Sequence, residues 1–182
     1  MERSTYTTLA VLVLILGLVL VLMLRAPSND RAAVVDPAVV ETEAVNALTF
    51  EDLAGNPVRL TDFAGSVVVV NSWATWCPFC RQELVRLAEI QAAYSEEVKV
   101  VAINRAESAA LVQSYLDTLP DRVNDLVIVL DPNDAFYDSV SSYTMPETIV
   151  YNQAGEKVAH KKGTLQLAQL RQLVESALLR TE

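Results

Sequence analysis

Hydrophobic positions fall along this chain in three regimes. Leu9 to Leu24 is an unbroken apolar run with one glycine, and Tyr6, Thr7 and Thr8 extend it to about the 20 residues of a membrane-spanning helix. Pro27 to Asn46 has no sustained period and carries small residues, acidic residues and two prolines. From Ala47 onward, short apolar runs alternate with stretches of helical spacing. Leu48 to Glu51 and Val58 to Leu60 flank Ala54-Gly55-Asn56-Pro57, which predicts two short strands joined by a turn. Val67-Val68-Val69-Val70 is β-branched without alternation, the pattern of a strand buried on both faces. Leu84, Leu87, Ile90 and Tyr94 then recur at helical spacing. Val98 to Asn104 predicts a second buried strand, Glu107 to Leu119 an amphipathic helix, Leu126 to Leu130 a third strand and Asn133 to Val140 a short helix. Glu147 to Asn152 and Lys157 to His160 read as a hairpin around Gln153-Ala154-Gly155, and Thr164 to Leu179 as a closing helix. This order predicts an α/β fold: a central mixed sheet flanked by helices, preceded by an N-terminal hairpin.

The three regimes divide the 182 residues into an N-terminal membrane anchor (1–26, transmembrane over about 6–24), a flexible tether (27–46) and one domain (47–182). A cleaved signal peptide competes with the anchor. Against it, the run is long for such a segment, and Arg25-Ala26-Pro27-Ser28-Asn29 offers no prompt small-x-small cleavage site. Arg3 on one side and Arg25 and Arg31 on the other leave the orientation undecided by charge, whereas the short N-terminal tail favours a cytoplasmic amino terminus. No cysteine follows the run, so a lipoprotein anchor is not expected. Residues 47–182 hold 11 Lys or Arg against 18 Asp or Glu, a net charge of −7. Such a domain binds nucleic acid poorly and is repelled by anionic lipid, and no nucleic-acid partner is expected.

The chain has only two cysteines and places both in Trp76-Cys77-Pro78-Phe79-Cys80. There the buried strand hands over to a helix. Unpaired backbone N–H groups and the positive end of the helix dipole favour thiolate over thiol at such a place. Cys77 is therefore the expected nucleophile, and Cys80, one turn further in, the resolving thiol. Pro78 suits a first helical turn, where an N–H has no intrahelical partner. A Cys-x-x-Cys also serves as half of a zinc site, but two more ligands are needed and His160 is the one other candidate besides carboxylates. No metal and no cofactor are expected.

Asn71-Ser72-Trp73-Ala74-Thr75-Trp76-Cys77-Pro78-Phe79-Cys80-Arg81-Gln82-Glu83, with Met145-Pro146-Glu147-Thr148 downstream, resembles the membrane-tethered thioredoxin-like family that includes TlpA, ResA and CcmG (also called DsbE). The likeness extends over about Leu48 to Leu179. It implies a thioredoxin-like fold and a Cys77-Cys80 redox disulfide acting as a reductant outside the cytoplasmic membrane, in many members for cytochrome c maturation. The partners implied are a disulfide-containing protein, by analogy the Cys-x-x-Cys-His segment of apocytochrome c, and a membrane-embedded thiol electron donor. Met145-Pro146 matches the cis-proline loop that lies against the disulfide. Proline is the residue whose cis isomer costs little, and Pro146 has no N–H to compete for Cys77. The backbone of Met145 is left to pair with an extended substrate. Trp76, Pro78 and Phe79 would complete the substrate contact, and Glu147 would bias partner choice toward basic segments. Glu83 lies three residues after Cys80, on the same helix face, and would exchange a proton with it. Asn71 replaces the buried aspartate of ordinary thioredoxins. An amide cannot titrate, which moves proton handling to Glu83.

Two alternatives stay open. A thiol oxidase of the DsbA kind shares the Cys-Pro-x-Cys pattern, although Val98 to Leu130 has no room for its helical insertion. A non-catalytic metal or copper chaperone would need a wider cysteine spacing and a matched histidine. Reduction potential sets the direction of exchange.

Overall fold

The computed structural model describes residues 12–21 and 45–180. These fall in two units, Met1–Val35 and Asp36–Glu182. In the first, residues 12–21 form a helix, α1, every residue of which is apolar or glycine and exposed. At 1.5 Å per residue it is about 15 Å long, half of a bilayer core. No helix among the described residues is long and apolar enough to cross a membrane, and the rest of the expected span lies outside them. Most of the expected tether lies outside them as well. Val45, assigned to the tether from sequence, is fully buried with Phe50, Leu60 and Phe136, so the packed domain begins ahead of Ala47.

The second unit is built on a seven-stranded mixed sheet in the order β2-β1-β5-β4-β3-β6-β7. Its strands are β1 (Phe50–Asp52), β2 (Pro57–Val58), β3 (Val67–Trp73), β4 (Val98–Arg105), β5 (Val127–Asp131), β6 (Glu147–Tyr151) and β7 (Lys157–Lys162). β3 runs parallel to β4 and antiparallel to β6, and all seven of its residues are buried. That accounts for its unbroken valines: Val67 and Val69 belong to one core cluster and Val68 and Val70 to the other, so both faces are covered. Helices α2 (Cys80–Ala93) and α5 (Leu167–Leu178) cover the first face with Leu84, Leu87, Leu170 and Val174. Phe136, from α4 (Ala135–Ser139), and Val140 cover the second. Trp73 is fully buried in the first cluster.

Several helix ends differ from the sequence expectation; α4 is shorter than Asn133–Val140 at both ends, and three other ends have a local reason. The helix expected over Glu107–Leu119 is α3, Ala109–Leu116, because the Ser108 hydroxyl accepts the Leu111 N–H and caps it there. Beyond it the chain turns at Pro120 into a single-turn 3-10 helix, Asp121–Asp125, which periodicity did not reveal. The last helix starts at Leu167 instead of Thr164, with a reciprocal Gln166–Gln169 capping box. Leu87 is fully buried between α2 and the sheet, and Leu87→Ala is expected to cost about 2–5 kcal/mol of stability, measurable by urea denaturation.

Candidate active site

Parallel pairing of β3 with β4 and antiparallel pairing with β6 bring the end of β3, the start of β6 and the end of β7 to one edge of the domain. Ser72 pairs with Glu147 and Glu147 with Lys162. Beyond β3 the chain makes two successive turns, with the Cys77 N–H donating to the Ala74 carbonyl (3.2 Å) and the Cys80 N–H to that of Cys77 (3.2 Å). Cys80 is the first residue of α2 and Phe79 its N-cap. Pro78 thus sits in the turn ahead of the helix, not in its first helical turn. The second position of such a turn suits proline's fixed φ and uses no N–H from it. Cys77 and Cys80 are joined by a disulfide, with Cα atoms 5.4 Å apart. Cys77 is 3% exposed and Cys80 has no exposed surface, so Cys77 is the sulfur a partner can reach.

Three residues after Cys80 on α2, Glu83 anchors a buried polar cluster. Glu83, fully buried, accepts the Leu165 backbone N–H on Oε2 (2.8 Å), and the Thr148 hydroxyl (2.9 Å) and the Asn71 amide (3.2 Å) on Oε1. Desolvation pushes its pKa above the ordinary carboxylate value, and it outweighs those hydrogen bonds together with the nearby Arg86 charge. Asn71 also donates to Thr148 Oγ1 (3.0 Å). The amide therefore orients the Glu83 carboxyl group.

Met145-Pro146 is a cis peptide bond, and the Pro146 carbonyl accepts the Gly163 N–H at 2.9 Å. The segment after β7 is thus tied to the proline through Gly163 and to Glu83 through Leu165. Trp76 and Phe79, on either side of Cys77, are 66% and 62% exposed. Glu147 is not at the rim. It is 1% exposed, and its Oε1 pairs with His160 Nε2, because it opens a strand flanked by β3 and β7. A partner's basic segment cannot reach it, and the chain's single histidine is taken up in this pairing.

One further group was not legible in sequence. Glu107, in the turn after β4, accepts the Thr75 N–H (2.8 Å) and the Asn104 amide (2.7 Å) on Oε2, and the Thr75 hydroxyl on Oε1 (2.5 Å). It clasps the loop that carries the dithiol. Nothing in Ala106-Glu107-Ser108 marks this role, because its partner lies 32 residues earlier. Glu107→Gln keeps the shape but cannot accept all three bonds. It is expected to slow disulfide exchange about tenfold, while the melting midpoint falls by only a few degrees. Stopped-flow tryptophan fluorescence and a thermal scan check both.

A mixed sheet with helices on both faces, a dithiol where its central strand meets a helix, and a cis-proline at the same sheet edge define a thioredoxin-like domain. The chain belongs to the Redoxin family, whose model matches residues 39–166. It is 32% identical over 117 residues to the thiol-disulfide oxidoreductase ResA of Halalkalibacterium halodurans, with 64% of each chain covered. It is 31% identical over 116 residues to the ResA of Bacillus subtilis, with 63% of each covered. The match spans just under two thirds of the length of those relatives. Among solved structures, a thiol:disulfide interchange protein DsbE from Chlorobium tepidum superposes with a TM-score of 0.65 at 25% identity, covering 72% of this chain and 92% of that one. A secreted Mycobacterium tuberculosis disulfide oxidoreductase gives a TM-score of 0.63 at 21% identity, covering 74% and 98%, a likeness of fold.

Proposed function

We propose that this protein is a thiol-disulfide oxidoreductase that reduces disulfides in partner proteins on the outer side of the cytoplasmic membrane. The observation that carries the reading is the Cys77–Cys80 disulfide at the N-terminus of α2, with the buried Glu83 three residues after Cys80 on the same helix. In the reduced protein, Cys77 thiolate attacks one sulfur of the partner's disulfide, and the other sulfur leaves as a thiolate. Glu83 takes the Cys80 proton as Cys80 attacks Cys77 Sγ in the mixed disulfide, and the second partner thiol is released. Two electrons have passed to the partner, and Cys77–Cys80 is left oxidised. A membrane-embedded thiol donor returns two electrons and two protons. By resemblance the substrate is the Cys-x-x-Cys-His segment of apocytochrome c.

The fully apolar, exposed helix α1 within the longer run Leu9 to Leu24 supports an N-terminal anchor. The two exposed aromatics beside the dithiol support a protein-sized partner. The reduction potential tests the direction of exchange. Titration of the full chain against glutathione or dithiothreitol should give a value in the thioredoxin region, about −270 mV or somewhat above, whereas a value near −120 mV would make the protein an oxidase.

A further inference from the structure

The lip of the site that carries the cis-proline is cationic, although the domain as a whole is acidic. Lys161 and Lys162 end β7, are exposed, and pair in register with Thr148 and Glu147, the residues directly after Pro146. The bond from the Gly163 N–H to the Pro146 carbonyl holds this end of β7 on the proline. Lys162 Nζ lies 3.7 Å from the ring centroid of Tyr143, which is 74% exposed on the approach to the same loop. Glu147, opposite Lys162 in register, is turned inward, 1% exposed and paired with His160. Trp76 and Phe79 supply exposed aromatic surface beside the dithiol.

We infer that this lip selects among disulfides by charge: it docks a polypeptide segment whose cystine is flanked by Asp or Glu. The inference rests on the reductase reading above and adds the partner's chemistry to it. A local positive potential on a domain of net charge −7 raises the encounter rate for an acidic segment in the orientation that brings its disulfide to Cys77, while the rest of the surface repels the same segment. Exposed Tyr and Trp provide the low-entropy contact area on which such a segment settles.

The test uses the full chain in neutral detergent micelles and three peptides of equal length, each with one internal disulfide, flanked by Asp/Glu, by Ser or by Lys. At low ionic strength kcat/KM should fall in the order acidic, neutral, basic, with about tenfold between the extremes, and the spread should shrink at high salt. Lys161→Glu/Lys162→Glu should reverse the order. Lys99→Glu, at the opposite end of the sheet, should keep it. An unchanged near-ultraviolet circular dichroism spectrum shows that the double variant is correctly folded. If the wild type reduces the Ser-flanked peptide but ranks all three alike, the charge inference falls and the reductase reading stands. If it reduces none of them, both fall. If the flanks are without effect and phosphatidylserine in the micelles slows the wild type but not the double variant, the lip is a lipid contact and the inference is overturned.

Discussion

Cys80→Ser is expected to convert the protein into a trap for its partner. Cys77 remains at the accessible edge of the site and still attacks a disulfide, but the buried sulfur that would resolve the adduct is gone. Turnover should fall by on the order of a thousandfold or more, and a covalent adduct should accumulate, visible as a band on a non-reducing gel that dithiothreitol removes. Cys77→Ser should lose turnover to the same extent without forming the adduct. The asymmetry is the informative result. Adduct formation by Cys77→Ser, through Cys80, would mean that the site opens far enough to expose a sulfur with no surface in this structure, and it would exchange the two assigned roles.

Glu83→Gln carries the second large effect. The amide side chain would keep the volume and an acceptor oxygen but lose the proton exchange, and the resolving step should slow by about 100-fold. The limb of the pH–rate profile that follows Glu83 ionisation should disappear with it. Stability provides an independent readout. Burial raises the pKa of Glu83 above its ordinary value of 4.5, so the fold favours the protonated acid. The stability this contributes is fully present below the unfolded-state pKa and is lost as pH rises through the folded-state pKa. The oxidised wild type should therefore weaken, relative to Glu83→Gln, as pH rises from the ordinary carboxylate range through the raised Glu83 pKa. Asp131 is also raised by burial, but it is common to both proteins and cancels in the comparison. Urea denaturation across that pH range measures the difference, and a constant gap would show that the fold does not raise the Glu83 pKa.

Different parts of the molecule were legible in sequence to different degrees. β3 could be read because four consecutive β-branched residues without alternation, bounded by Gly65 and the turn after Trp73, fit a strand covered on both faces. The hairpin of β6 and β7 could be read because Gln153-Ala154-Gly155 interrupts two β-rich runs, and Gly155 does take a positive φ of 81°. The helix limits at Ser108 and Gln166 could not be placed, because capping by a single side chain outweighs an apolar period that runs on past it. Trp73 and Trp76, three residues apart and chemically identical, could not be told apart at all. One is fully buried and the other 66% exposed, a distinction made by the turn that begins at Ala74.

What the sequence by itself determined is the order of strands and helices, the apolar N-terminal run, and the dithiol where β3 gives way to α2. These are local properties: periodicity, β-branching and turn residues act within about a dozen neighbouring positions. Tertiary structure alone decided what surrounds the dithiol. Besides Asn71, the partners of Glu83 are Thr148 and Leu165, 65 and 82 residues further along, and only the sheet order β4-β3-β6-β7 and its register bring them together. The same pairing turned Glu147 inward onto His160 and set two lysines beside the proline. Burial and charge at a site depend on distant chain segments that hydrogen-bonded strands draw close, and a linear pattern carries no record of which segments those are.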